Sequence, residues 1–329
     1  SGWPMFQKNI NNNGVNIGIG NISTDIEVRN RIIYLTTDSP SSSAPDLYII
    51  DIHDPADPFV VSSINTGPGL SALEVAGQYI YVANTSTTNQ LQIIDISDRY
   101  APVLISSLRL PLPTASSTAP AASTIFYSKG LIYLGTAKWD GAEFAIIDVS
   151  TPSLPKYIGG FETNTLINDI YVRNSVAYVA SSDIGQMRIL DVTNPASTTS
   201  LATFSPSGWE TQQGRALSYF EGELSLGRTV GGFNNIHNHE IFTFSSTSPL
   251  IIENSHDIPG GIYGIITRPS SIYLAVRSPG HEFQVWNENL KEIIFEKSLS
   301  FLPQAMACDG KDIFFATGNQ KGIGVLISE

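Results

Sequence analysis

Four aspartates recur at one place in a repeated pattern. Asp51, Asp95, Asp148 and Asp191 each follow two aliphatic residues, as in Ile49-Ile50-Asp51-Ile52. Evenly spaced carboxylates suggest a metal ring, but these stand in separate repeats, which spreads them apart in space. An Asp at a strand end also satisfies turn N–H groups with its own side-chain oxygen, so a structural role is expected. Other residues point to recognition. Trp139 with Asp140, and Trp209 with Glu210, stand in loops where the repeat has no aromatic, and a loop Trp either anchors its loop or contacts a ligand. Arg228 opens a long loop that ends in His237 and His239, two imidazoles on one side of an extended segment without a visible third metal ligand. Arg215, Tyr263 and Gln304, with Asp25, Asn168 and Asp169, lie at or just before the starts of one class of strand. An Arg among carboxylates there is either a structural ion pair or a contact for an anionic or sugar ligand.

The binding candidates are therefore Trp139, Asp140, Trp209, Glu210, Arg215, Arg228, His237, His239 and Tyr263, and the weaker set for a cation is Asp25, Asn168 and Asp169. No catalytic residue is assigned. The chain has no Gly-x-Ser-x-Gly, His-Glu-x-x-His, P-loop or Cys-x-x-Cys motif, and its one cysteine, Cys308, reads as a small apolar strand residue.

These residues sit on a repeat. An apolar-aromatic strand (Ile32-Ile33-Tyr34-Leu35, Tyr79-Ile80-Tyr81-Val82 and five more) alternates with the Ile-Ile-Asp strand or its equivalent seven times along the chain. The period is about 46 residues, in the range of four-stranded propeller blades. A strand precedes each Tyr strand (Asp25-Ile26-Glu27-Val28; Asp169-Ile170-Tyr171-Val172), joined to it by a short linker such as Arg29-Asn30-Arg31 that supplies residues tolerating positive φ. A fourth strand follows a Pro-containing turn, as in Asp54-Pro55-Ala56-Asp57-Pro58 and then Val60-Val61-Ser62-Ser63-Ile64. No twelve-residue window carries a helical stripe. The recurring Tyr34, Tyr81, Tyr133, Tyr178 and Tyr273 are expected to pack between blades.

The seventh unit ends before its fourth strand, which would leave an open edge. Residues 15 to 20 are expected to supply it, so that a seven-bladed β-propeller spans 15–329 as a single all-β domain behind an extension, 1–14. The segment from Leu47 to Val61, with Gln90 to Pro102 and Phe144 to Pro155, resembles the LVIVD repeat family; Met187 to Pro195 matches more loosely. The resemblance implies a β-propeller in a surface or secreted protein, without a defined catalytic activity, and an anchor upstream of Ser1.

Composition narrows the partners. Eighteen basic against thirty acidic residues give a net charge of −12, so no basic face exists to release phosphate counterions, and nucleic acid is excluded as a partner. No apolar run is long enough to span a membrane. The expected function is a non-catalytic extracellular or cell-surface binding or adhesion module that presents variable loops of one face to a protein or glycan and needs no cofactor. The alternative is a lactonase-like hydrolase with a divalent cation such as Ca2+ in the channel, held by Asp25, Asn168 and Asp169.

Overall fold

The computed structural model describes residues 15–17, 19–38, 43–113, 118–183, 185–205, 212–230, 239–247 and 250–327. Seven four-stranded antiparallel sheets form seven blades. Six run inner, second, third and outer strand in chain order. Their inner strands are Ile22–Arg29, Leu70–Ala76, Ala122–Ser128, Ile167–Arg173, Gln212–Phe220 and Gly261–Arg268. The seventh blade has its inner strand at Ala305–Asp309, and its outermost position holds Val15–Asn16, paired with Ile323 and Gly322.

Local chemistry sets each blade. In blades 1 and 4 the turn from inner to second strand has positive φ at both central residues, Asn30 and Arg31 (51° and 61°) and Asn174 and Ser175 (49° and 61°). The repeated aspartates act on their own turns as expected. Asp51, Asp95, Asp148 and Asp191 accept backbone N–H bonds from His53, Ser97, Ser150 and Thr193 at 2.7 to 2.9 Å. The bond from the His53 N–H holds the Asp51 carboxyl below the usual carboxylate range, as hydrogen bonds from the Ser150 and Thr193 side chains, then their N–H groups, do for Asp148 and Asp191. All five repeated tyrosines are buried. The core lies between blades, in clusters that take apolar side chains from two neighbouring sheets, such as Ile32, Tyr34 and Ile49 with Leu73, Ile80 and Ile94.

Outer strands are latched to the next blade. Ser62 and Ser106 donate to the carbonyl oxygens of Arg99 (2.5 Å) and Pro152 (2.6 Å). The same position in blade 3 is Gly159, where a Cβ would stand 2.0 Å from the Pro195 oxygen. Gly159→Ala is therefore expected to cost about 3 kcal/mol by overpacking and to lower the melting temperature by roughly 5 to 10 °C, as read by calorimetry. An unchanged melting temperature would show that this latch yields freely.

Candidate functional site

The innermost strands carry the site. In six blades the inner and second strands fall out of register at one position, leaving Thr24, Ser71, Ser123, Asn168, Arg215 and Tyr263 as the extra, bulged residues. A β-bulge bends its strand and re-aims the side chain it carries. Here all six line the mouth of the central channel, joined by Gln304 just ahead of the seventh inner strand. The mouth holds about 540 Å³ and the channel beneath it about 520 Å³.

The ring has two halves. Thr24 Oγ1 donates to the Leu70 oxygen (2.9 Å), Ser71 Oγ to Ala122 (2.9 Å), Ser123 Oγ to Ile167 (2.6 Å) and Asn168 Nδ2 to Gly214 (2.6 Å). Each stitches its blade to the next and spends a donor doing so. In the other three blades the residue is long. Arg215 reaches back to the Asn168 oxygen at 3.4 Å, and among the described residues Tyr263 and Gln304 have no side-chain hydrogen bond. Arg215 forms no ion pair within 4 Å of a described carboxylate; its guanidinium lies against the Tyr263 ring, 4.5 Å from the centroid.

Below the ring, carboxylates perform a backbone task. An innermost strand presents unpaired N–H groups to the channel. Asp25 accepts from Leu73 N (2.9 Å) and Ile26 N (2.8 Å), Glu27 from Val75 N (2.6 Å), and Asp169 from Leu217 N (2.7 Å) and Ile170 N (2.8 Å). Burial pushes Asp25 and Asp169 up to about 6 against these bonds and the Arg215 charge. Burial, then the neighbouring Glu27 and Asp25 charges, pushes Glu74 well above the usual range. Asp25 and Asp169 thus hold blades together, with both carboxylate oxygens of each already engaged. Asn168 spends its amide N–H groups on Gly214 and on Ser182 Oγ at 2.8 Å. Among the described residues no three His, Cys, Asp or Glu side chains converge to hold a metal ion.

The remaining candidates divide differently. Trp139 packs against the core between blades 2 and 3 and borders a small cavity with Leu110, Pro111, Pro113 and Tyr157, while Asp140 beside it is exposed. Its ring covers Gly141, where a Cβ would come within 2.5 Å, so Trp139 anchors its loop. Arg228 corrects the expectation of an accessible cation. It is fully buried, ion-paired with Glu240 and set against the Phe242 ring at 5.2 Å; burial pushes it down to about 10. Trp209, Glu210 and His237 lie outside the described residues, as does the side chain of His239, whose backbone begins the third strand of blade 5. Sequence reasoning missed Arg277, which ends the second strand of blade 6 and lies 4.6 Å from the same Tyr263 ring. Its pairing with Gly261 places it at mouth level, a register fact with no sequence signature.

Solved structures share this architecture at low sequence identity. A hydrazine synthase from Kuenenia stuttgartiensis superposes with a TM-score of 0.72 at 11% identity, over 94% of this chain and 96% of that one. A periplasmic gluconolactonase, PpgL, from Pseudomonas aeruginosa gives 0.65 at 11% over 84% of each chain, and BamB from Moraxella catarrhalis gives 0.58 at 12% over 93% and 83%. At such identities the likeness shows the fold alone. No curated protein matches the sequence. The LVIVD repeat model matches residues 43–66, 71–109, 135–163 and 167–204, which fall within blades 1 to 4. With four LVIVD repeat segments matched and the same strand order continuing through seven sheets, the chain is a seven-bladed β-propeller that carries LVIVD repeats.

Proposed function

We propose that this propeller is a non-catalytic binding module, displayed outside the cytoplasm, that engages a protein or glycan at the channel mouth. The carrying observation is the divided ring: four bulged residues stitch the blades together, whereas Arg215, Tyr263 and Gln304 leave most of their hydrogen-bonding groups for a ligand. A rigid scaffold with distinct side chains at equivalent backbone positions is suited to recognition. The net charge of −12 and the repeat family support display away from nucleic acid.

The hydrolase alternative has less support, because its proposed ligands Asp25, Asn168 and Asp169 serve the backbone of neighbouring blades. A gluconolactonase shares the propeller shape, so shape alone does not discriminate. The test is capture of glycans and extracellular proteins by the wild type and by Arg215→Ala, Tyr263→Ala and Trp139→Phe variants. The expected result is at least tenfold weaker capture by the first two and unchanged capture by the third. Capture indifferent to both mouth variants would refute the site.

A further inference from the structure

Two guanidiniums share one aromatic ring at the mouth. Arg215 Cζ is 4.5 Å and Arg277 Cζ 4.6 Å from the Tyr263 centroid, so the two cations stand within about 9 Å of each other. Neither has a carboxylate within 4 Å among the described residues; Arg215 also donates to the Asn168 oxygen at 3.4 Å and acts at longer range on the Asp25 and Asp169 carboxylates. Stacking on tyrosine fixes each planar fork without using its N–H edges, which is how arginine is held ready for an oxyanion. Charge-assisted N–H···O bonds of about 2.8 Å put a guanidinium carbon about 4 Å from the centre of the anion it binds. A carboxylate arriving at this ring therefore has two guanidiniums within reach.

The other half of the ring adds a second requirement. The Ser123 hydroxyl gives its one hydrogen to the Ile167 carbonyl of the next blade, and Ser71 has the Ala122 (2.9 Å) and Ala83 (3.2 Å) carbonyls for its own, so at the mouth both are left as acceptors. Lone pairs facing a cavity call for a ligand that carries hydroxyl donors. From this juxtaposition we infer that the mouth recognises an acidic saccharide, its carboxylate drawn to Arg215 and Arg277 and its ring hydroxyls donating to the serines across the mouth. The inference rests on the channel mouth being the binding surface and names what that surface selects.

The test is an array of uronic-acid and sialylated oligosaccharides printed beside their neutral counterparts and probed with the wild type, Arg215→Gln and Arg277→Gln. Melting curves on each protein establish that it is folded. Arg277→Gln keeps the test informative should Arg215→Gln fail to fold, since Arg277 borders neither Asp25 nor Asp169 in any hydrogen bond or ion pair. Expected is at least tenfold stronger retention of acidic over neutral glycans, lost in the folded variants. Equal retention of neutral counterparts, acidic retention untouched by the Arg277 change, or no glycan retained would overturn it. In that last case, capture of a protein that Tyr263→Ala abolishes would leave the mouth reading standing, so the two failures are distinguishable.

Discussion

A chain lacking residues 1–20 is expected to melt roughly 10 °C below the full-length protein and to aggregate on heating. The lost segment closes the seam between the first and last blades. Ile19 is 3% exposed and packs with Ile17 against Phe314, Ile323 and Val325 of blade 7 and Tyr48 of blade 1. Tyr48 Oη donates to the Ile19 oxygen at 3.0 Å, and Ile17 N donates to Lys321 at 3.3 Å. Burying an isoleucine contributes about 1.5 to 3 kcal/mol. With the half-buried Ile17 and these bonds the loss comes to about 4 kcal/mol, and each kcal/mol shifts the midpoint by roughly 2 to 4 °C in a chain of this size. The exposed strand Gly322–Leu326 would then present a bare edge. Other contacts across the seam remain, including Arg31 to Asp312 at 2.8 Å and Gly318 N to Ser23 Oγ at 3.2 Å, so folding itself should survive. Calorimetry decides it: equal midpoints for the two chains would mean that the seam does not depend on the N-terminal segment.

The second large effect is a gain in stability on mild acidification. Asp25, Asp46 and Asp169 are all pushed up to about 6, burial being the leading cause in each case, and Glu27 and Glu74 are raised in the same direction. A carboxylate raised in the folded state favours folding when protonated. Its contribution is complete below the unfolded value of 3.8 and is lost as pH rises through about 6. A shift of two units corresponds to about 3 kcal/mol for a fully shielded group. Water in the channel reduces this, so the set together should contribute about 3 kcal/mol, or roughly 8 °C between pH 7.5 and 5. Below the unfolded aspartate value of 3.8 the sign reverses, because Asp51, Asp148 and Asp191 are held lower than that in the folded chain by hydrogen bonds from their turn residues. A double Asp25→Asn, Asp169→Asn variant should show a flatter slope whatever its absolute stability. A midpoint that falls steadily from pH 7.5 to 5 would contradict the assignment.

Much of this was legible in the sequence because it is local. The Asx bonds span two residues, the tight turns span two, and a fixed spacing carries the blades. Aligning inner strands also brings Arg215, Tyr263 and Gln304 to one level. What the sequence hides is pairing across a whole repeat. That Ser123 lines the mouth and stitches to Ile167, 44 residues on, depends on a bulge, and a bulge is a property of register between two strands. Arg277 meets the Tyr263 ring through strand pairing as well, opposite Gly261. Arg228 and Trp139 stand among the binding candidates because a polar or aromatic residue near a loop looks available in one dimension; in three, Arg228 is buried against Glu240 and Trp139 takes the anchoring alternative, packed over Gly141.

The most direct test of the mouth as the binding surface is a hydrogen-exchange footprint of the full chain with and without whatever it captures. Protection should concentrate in the first residues of the inner strands of blades 5 and 6, around Arg215 and Tyr263, and at the end of the Ser271–Arg277 strand. Protection confined to the outer strands, such as Leu250–Ile258 with its exposed Ile251 and Ile252, would place the binding surface on the rim and contradict the account.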